Sequence, residues 1–509
     1  MKVRLLHPDY DPDLAAPIAW ALRDLADADL ELPRVYQAMA AGDTFLLDTA
    51  KKVISLPITD PDVIVYRQKV VADCLANRTV VQHIYDIAVD ALDVRRKLFL
   101  GGLMSRNPEA ILRRSVRILE LLDENLKQLR SLCDEQAGKF SSDGFRQLLA
   151  MIADQLSDDY LAQLDEHLRD LQLPNGVLLS ARLGPGNKGT DYVLHEAPHR
   201  NWWDKLTGSH GGGYGFVVAD RDEAGAAALT ELAGRAINDV ANTVTQSADH
   251  VQGFFARLRT ELAFYLGCVN LYDALTKFGV PTCFPVPAPV DAPRFESRDL
   301  RDIGLCLATV KKVSGNDVDA DAKSLIVITG ANEGGKSTFL RSLGAAQVMM
   351  QAGMFVTAQS FCANIRDGVF THFKREEDAT MTHGKFDEEL ARMNAIAEHI
   401  MPTSMLLCNE SFASTNEREG SEIARDIVYA MIESGVKVIY VTHLYDLASS
   451  LYARRDPADL FLRAERCPDG RRTFRLIPGA PEPTSYGEDS FTRVFGVHAG
   501  SRGNHIPAG

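Results

Sequence analysis

SLIVITGANEGGKSTFL, residues 324–340, changes period partway along its length. Leu325, Ile326, Val327 and Ile328 form an apolar run long enough only for a buried strand. After a glycine-bearing turn, Lys336, Ser337 and Thr338 open a helical pattern. The spacing is that of a P-loop, Gly330-x4-Gly335-Lys336-Ser337. Small residues such as Gly334 and Gly335 let consecutive backbone N–H groups turn inward around a phosphate, and the following helix directs the positive end of its dipole at the same place. Lys336 is then the residue that neutralises the β/γ oxygens, and Ser337 the one that ligates Mg²⁺. The motif alone can arise by chance, but a strand before it and a helix after it mark a nucleoside-triphosphate site.

Around this stretch lie 509 residues, too many for one compact core, so several domains are expected. A hydrophobic share of 46% with 24% charged residues is ordinary for a soluble globular chain. No stretch approaches the roughly 18 consecutive apolar residues of a membrane span. The start, MKVRLLHPDYDPD, has too short an apolar core for a signal peptide. The eight cysteines are scattered without a C-x-x-C pair, which reads as reduced thiols in a cytoplasmic protein. A net charge of −14, from 55 Lys+Arg against 69 Asp+Glu, argues against a surface that coats nucleic acid indiscriminately. Any DNA contact is local. The clusters Arg95-Arg96-Lys97 and Arg113-Arg114 with Arg117 read first as solvated helix faces.

The expected organisation follows the chain. An N-terminal helical segment, 1–54, ends in a region marked by Gly42-Asp43. A helix starts at Asp60-Pro61, and amphipathic stretches through Ile111–Leu126 and Phe145–Leu171 make long rods within a helical domain spanning 55–278. Within it, residues 173–219 read as a small β insertion, with strand-like pieces at 177–181 and 214–218. The insertion also carries Lys188, His195, His199, Arg200, Trp202, Trp203, Lys205 and His210, a mixture able to stack on bases; seating the insertion on a helix is the plainer role for the two tryptophans. Helical spacing returns from about 222 to 278. GVPTCFPVPAPVDAP, residues 279–293, reads as a proline-rich linker. From 294 onward strands alternate with helices, as in a doubly wound α/β domain.

A P-loop needs a second strand ending in an acid beside the γ-phosphate. Met405–Cys408 is such a strand, and it runs into Asn409-Glu410 instead of Asp-Glu. Asn409 offers the metal's hydration shell only an amide oxygen, so Mg²⁺ binding weakens. Glu410 is the candidate to orient or deprotonate the attacking water. A third strand, Lys437–Val441, ends in Thr442-His443, placing an imidazole where open α/β sheets bind ligands and where it can sense the γ-phosphate.

GANEGGKSTFLRSLG, then GMFVTAQSF, NESFASTNEREGSEIA, VTHLYDLA and TSYGED, resembles the ATPase domain of MutS-type DNA mismatch repair proteins, itself similar to ABC-type ATPases. Upstream, LPITDPDVIVYRQKVV and LRTELAFYLGCVNLYDAL resemble parts of the family's helical core, and VSGNDVDADAKSLIVITG its lead into the P-loop. The resemblance implies that Gly330, Asn332, Gly334, Gly335, Lys336, Ser337 and Thr338 bind ATP and Mg²⁺, that Glu410 follows the metal-site position, and that His443 is a switch histidine. It also implies a dimer in which a signature loop from the partner closes each nucleotide. Where mismatch-repair members carry Ser-Thr-Phe, this chain has Met381-Thr382-His383-Gly384-Lys385-Phe386, so Thr382 or Lys385 would take the γ-phosphate contact. Only about 55 residues precede the helical core, too few for the family's mismatch-reading domain with its Phe-x-Glu wedge, and little follows TSYG for a C-terminal dimer element.

The expectation is therefore α plus α/β: a helical core and lever region with a small β insertion, then an ABC-type P-loop ATPase domain at 294–509. Its expected function is slow, ATP-gated action of a homodimer on mismatched or branched DNA without wedge-type reading. The alternative is a nucleotide-switched ATPase that engages a protein partner and no DNA. The missing LSGGQ signature and the lack of sustained heptad arms set aside a generic ABC or SMC-type ATPase.

Overall fold

The computed structural model describes residues 1–14, 21–99, 107–174, 176–195, 217–219, 221–309, 311–375, 384–467 and 471–482. Helices α1 (Ala21–Asp29), α2 (Leu32–Ala40), α3 (Thr44–Ile54) and α4 (Pro61–Ala76) come first. Then follow α5 (Arg78–Phe99), α6 (Pro108–Gln136), α7 (Asp143–Gln155), α8 (Asp158–Leu171), strands β1 (Leu178–Leu183) and β2 (Gly189–His195), and the long helix α9 (Glu223–Thr276). The remainder alternates: β3 (Val286–Ala288), β4 (Phe295–Leu300), α10 (Ile303–Ala308), β5 (Asn316–Asp319), β6 (Leu325–Thr329), α11 (Lys336–Gln351), β7 (Ser360–Asn364) and β8 (Val369–Phe373). It closes with α12 (Lys385–His399), β9 (Met405–Asn409), α13 (Glu417–Glu433), β10 (Lys437–Val441), α14 (Tyr445–Ala453), β11 (Asp459–Arg466) and β12 (Arg472–Pro478).

These elements form two compact units that do not follow chain order. One comprises Met1–Leu5 and Asn77–Leu262; the other comprises Leu6–Ala76 and Ala263–Gly509. The boundaries expected at 54/55 and around 279–293 differ from this division, because residues 6–76 pack with the C-terminal half. Arg67 of α4 is 5% exposed and donates to the Leu6 carbonyl at 2.8 and 3.1 Å and to the Ala352 carbonyl at 3.0 Å. Thr371 of β8 donates to Asp29 at 2.7 Å, and Arg341 of α11 pairs with Glu31 and, at 3.2 Å, with Asp302.

In the first unit, Leu112, Val116, Leu119, Leu122, Leu126 and Leu129 are buried along α6, the i, i+3, i+4, i+7 stripe of a helix with one apolar face. The rod expected at 145–171 is two helices. Ser157 stops it: its hydroxyl accepts from the Tyr160 N–H and caps α8, as Ser142 caps α7. The strand expected at 177–181 is β1, and its antiparallel partner is β2. Residues 214–216 of the other expected strand lie outside the described residues, and 217–219 adopt no regular structure. Arg113 and Arg117 pair with Glu109 and Glu120 of their own helix at 2.6 and 2.9 Å, as solvated helix faces do.

The second unit holds two sheets. One is six-stranded, in the order β12-β11-β6-β10-β9-β8, parallel except for the antiparallel β11–β12 pair. Every residue of β6, β8 and β10 is buried, the pattern of strands covered on both faces. The other sheet, β3-β7-β4-β5, is mostly antiparallel and was not expected. It also corrects the reading of 279–293 as a linker: Val286–Ala288 pairs in parallel with Cys362–Asn364. Pro287 fits there because β3 is an edge strand, where a missing N–H costs no ladder bond. Among the described residues no helix is long and apolar enough to cross a membrane, and all eight cysteines are free thiols.

Arg67→Ala should lower the unfolding free energy by about 2–4 kcal/mol, because the Leu6 and Ala352 carbonyls lose a charged donor in a buried setting. Chemical denaturation measures this; a loss under about 0.5 kcal/mol would contradict the assigned role.

Candidate functional site

Strand β6 delivers the chain into the loop at Gly330, and α11 begins at Lys336. Gly330 and Gly335 have φ of 104° and 88°, left-handed values that glycine adopts without steric cost. Gly334 is required by closeness: a Cβ there would stand 2.6 Å from Cβ of Ala464 on β11. Lys336 is 5% exposed, and its Nζ donates to the Gly330 and Ala331 carbonyls, 2.9 Å each. Burial pushes its pKa down to about 8, with Glu410 opposing the shift and Arg472 adding to it. Arg472 also donates to the Asn332 carbonyl at 3.2 Å. Asn332 itself is exposed, and Thr338 follows in the first turn of α11.

The sheet order brings the other candidates to the same edge. Strand β10 lies between β6 and β9, so Thr442-His443 and Asn409-Glu410 leave neighbouring strands beside the loop. Ser337 Oγ donates to Asn409 Oδ1 at 2.9 Å. Glu410 Oε1 accepts from His443 Nε2 at 2.9 Å, each side chain being 29% exposed. This hydrogen bond, aided by the charges of Lys374 and Lys336, holds the Glu410 carboxyl below its usual range against the effect of burial. Lys336, Ser337, Asn409, Glu410 and His443 thus share one end of one sheet.

The oxygens on offer to a metal are Ser337 Oγ and Asn409 Oδ1. Hard oxygen donors suit Mg²⁺, but neither carries charge, so the substrate's phosphates would supply most of the attraction. Among the described residues no group of three or more His, Cys, Asp or Glu is arranged to hold a metal ion. Thr382 lies outside the described residues; Lys385 is the first residue of α12 and half-buried. Trp202, Trp203, Lys205, His199, Arg200, His210 and the TSYGED segment also lie outside them. His195 is described, on the exposed hairpin, with Nε2 2.7 Å from Ser180 Oγ.

Sequence reasoning missed a cavity of about 360 Å³ beside the loop. Leu300, Thr309, Phe339 and Phe474 line it together with Glu333, Gly335 and Thr338. Buried Asn316 fixes one wall: Nδ2 donates to the Phe474 carbonyl at 3.1 Å, and Oδ1 accepts from the Leu476 N–H at 2.8 Å. The volume and largely apolar lining suit a planar ring system. The one available signal was the VSGND stretch leading into β5.

A glycine loop leaving a parallel strand, with a carboxylate and an imidazole at neighbouring strand ends, is an arrangement of the P-loop kind. Residues 59–278 match the MutS2 N-terminal domain, and residues 326–488 match MutS domain V. The chain belongs to the MutS family. The DNA mismatch repair protein MutS of Lactobacillus helveticus is 29% identical over 226 residues, 42% of this chain and 26% of that protein. MutS of Streptococcus pneumoniae (strain Hungary19A-6) is 28% identical over 273 residues, 51% of this chain and 32% of that protein. The mismatch repair protein HexA of S. pneumoniae serotype 4 matches over the same shares. The matched part of the chain therefore spans only about a quarter to a third of these relatives' lengths.

Because folding lowers the Glu410 pKa, its pairing with His443 stabilises the fold above the usual glutamate range, and that stability is lost as pH falls through the depressed value. His443→Ala should cost stability at pH 7, with the difference from wild type shrinking towards zero in acid. Denaturant titrations at pH 7 and well below the usual glutamate range test this; a difference that persisted undiminished at the lower pH would contradict it.

Proposed function

We propose that this protein binds ATP with Mg²⁺, hydrolyses it slowly, and uses the cycle as a homodimer to act on mismatched or branched DNA in the cytoplasm. The observation that carries this reading is the shared sheet edge. Lys336, Ser337, Asn409, Glu410 and His443 converge there within a segment similar to MutS domain V. The relatives' printed role in DNA mismatch repair supports the DNA part.

In this reading Gly330, Asn332, Gly334, Gly335 and Thr338 shape the loop around the phosphates. Lys336 exchanges the Gly330 and Ala331 carbonyls for phosphate oxygens and is held protonated by them. Glu410 orients and deprotonates water, while His443 holds the carboxylate in place and senses the γ-phosphate. Ser337 and Asn409 would hold Mg²⁺, which when bound offsets charge on the phosphates. The cavity between Phe339 and Phe474 takes the base. Thr382 or Lys385 of a partner subunit completes the site in trans. Closure passes to the helical unit through α9, whose residues belong to both compact units.

A second reading, a nucleotide switch that engages a protein and no DNA, is favoured by the net charge of −14. Steady-state hydrolysis at low salt separates the two, measured alone and with homoduplex, mismatched and branched DNA against Lys336→Ala as the blank. A rate that responds to one DNA form supports the DNA reading; indifference to every form supports the switch.

Asn409→Asp keeps the acceptor for Ser337 and adds a charge at the metal position. It should raise hydrolysis by about tenfold, the equivalent of roughly 1.4 kcal/mol at the transition state, and lower the Mg²⁺ concentration required. An unchanged or lower rate would show that the amide is not what slows turnover.

A further inference from the structure

Glu410 and Phe412 both have positive φ, 54° and 62°, in the left-handed region that strains a side-chain-bearing residue. Such strain persists only where neighbours over-determine the backbone. Ser411, between them, is completely buried and fixed at both ends. Its carbonyl accepts from the Tyr440 hydroxyl at 2.8 Å, and its Oγ lies 2.7 Å from both Nδ1 and the carbonyl oxygen of His372.

His372, on β8, is also completely buried, and its ring stacks on Phe412 at a centroid distance of 5.3 Å. Nε2 is 3.0 Å from the Glu389 carbonyl of α12. A carbonyl oxygen only accepts, so Nε2 carries the hydrogen. Burial lowers the pKa to about 4, and the ring is neutral at pH 7. Nδ1 is therefore an acceptor, and the single Ser411 hydroxyl proton is shared between it and the His372 carbonyl. The tautomer set by α12 thus decides how Ser411 is held.

We propose that His372 is a positioning residue for hydrolysis: through the Ser411 hydroxyl it fixes the left-handed backbone at Glu410 from which the carboxylate meets His443. This rests on the reading that Glu410 serves ATP hydrolysis. His372 touches no reacting atom. It connects three elements, with β8 carrying the ring, the turn after β9 carrying Ser411, and α12 setting the tautomer.

The test is steady-state ATPase kinetics of the full chain, with binding of a fluorescent ATP analogue and thermal unfolding measured alongside. The set is wild type, Ser411→Ala, His372→Phe, the double variant and His372→Asn, with Lys336→Ala as the blank. His372→Phe keeps the ring on Phe412 and removes both nitrogens. Ser411→Ala and His372→Phe should each lower kcat by about 10- to 100-fold, since small displacements of a reacting group are costly. KM and analogue affinity should stay within about twofold, the pattern of a loss confined to the transition state. The double variant should be no worse than either single one, and His372→Asn, which can present an acceptor near the place of Nδ1, should recover most of the rate. Additive losses, or affinity and melting temperature falling in step with kcat, would overturn the inference. If wild type exceeds the Lys336→Ala blank and Ser411→Ala equals wild type, this inference alone falls. If wild type does not exceed the blank, the ATPase reading falls and takes this inference with it.

Discussion

Parallel pairing of β6 with β10, and of β10 with β9, is the constraint on which the site depends. Parallel strands in register end at the same edge, so each turn leaving a carboxyl end is delivered next to its neighbour's. The register pairs Ile328 with Val441 and Val441 with Asn409. Those three positions immediately precede or belong to the turns that carry the glycine loop, His443 and Glu410. A strand slip of one residue would shift these groups along the edge by about 3.3 Å and part the turns that the register sets side by side.

Charge at this edge is held in two different ways. Lys336 is buried and solvated by the Gly330 and Ala331 carbonyls of its own loop. Glu410 keeps its charge through the imidazole of His443 and the nearby lysines. At the position between them, next to Ser337, stands the neutral amide of Asn409. Among the described residues the edge thus carries a cation and an anion, with an amide and not a second carboxylate beside Ser337.

Much of this was legible in the sequence because it depends on local period and spacing. The switch from an apolar run to helical spacing at 325–340 marked β6, the loop and α11, and strand ends flagged Asn409, Glu410 and His443. Asp60-Pro61 announced α4, and the helical spacing from about 222 announced α9. What depends on distant contacts was not legible. Nothing in GVPTCFPVPAPVDAP says that β7 will pair with it; the cap at Ser157, by contrast, had a local signal in the Asp158-Asp159 that follows it. Neither the order β12-β11-β6-β10-β9-β8 nor the meeting of His372 with Ser411 leaves a trace in spacing, because both arise from sheet topology.

The pairing of Glu31 with Arg341, and of Asp29 with Thr371, joins residues separated by most of the chain. During synthesis α1 to α4 leave the ribosome long before any strand they cover. Residues 77–262 have their own internal packing and can complete it first, whereas residues 6–76 wait until the last strands arrive. Closing so long a loop carries an entropic cost, and until it is closed the apolar faces of α2 and α3 lack the partners that bury them. Those helices, made early, are thus buried late, and in the finished molecule they are part of the core that supports the P-loop helix.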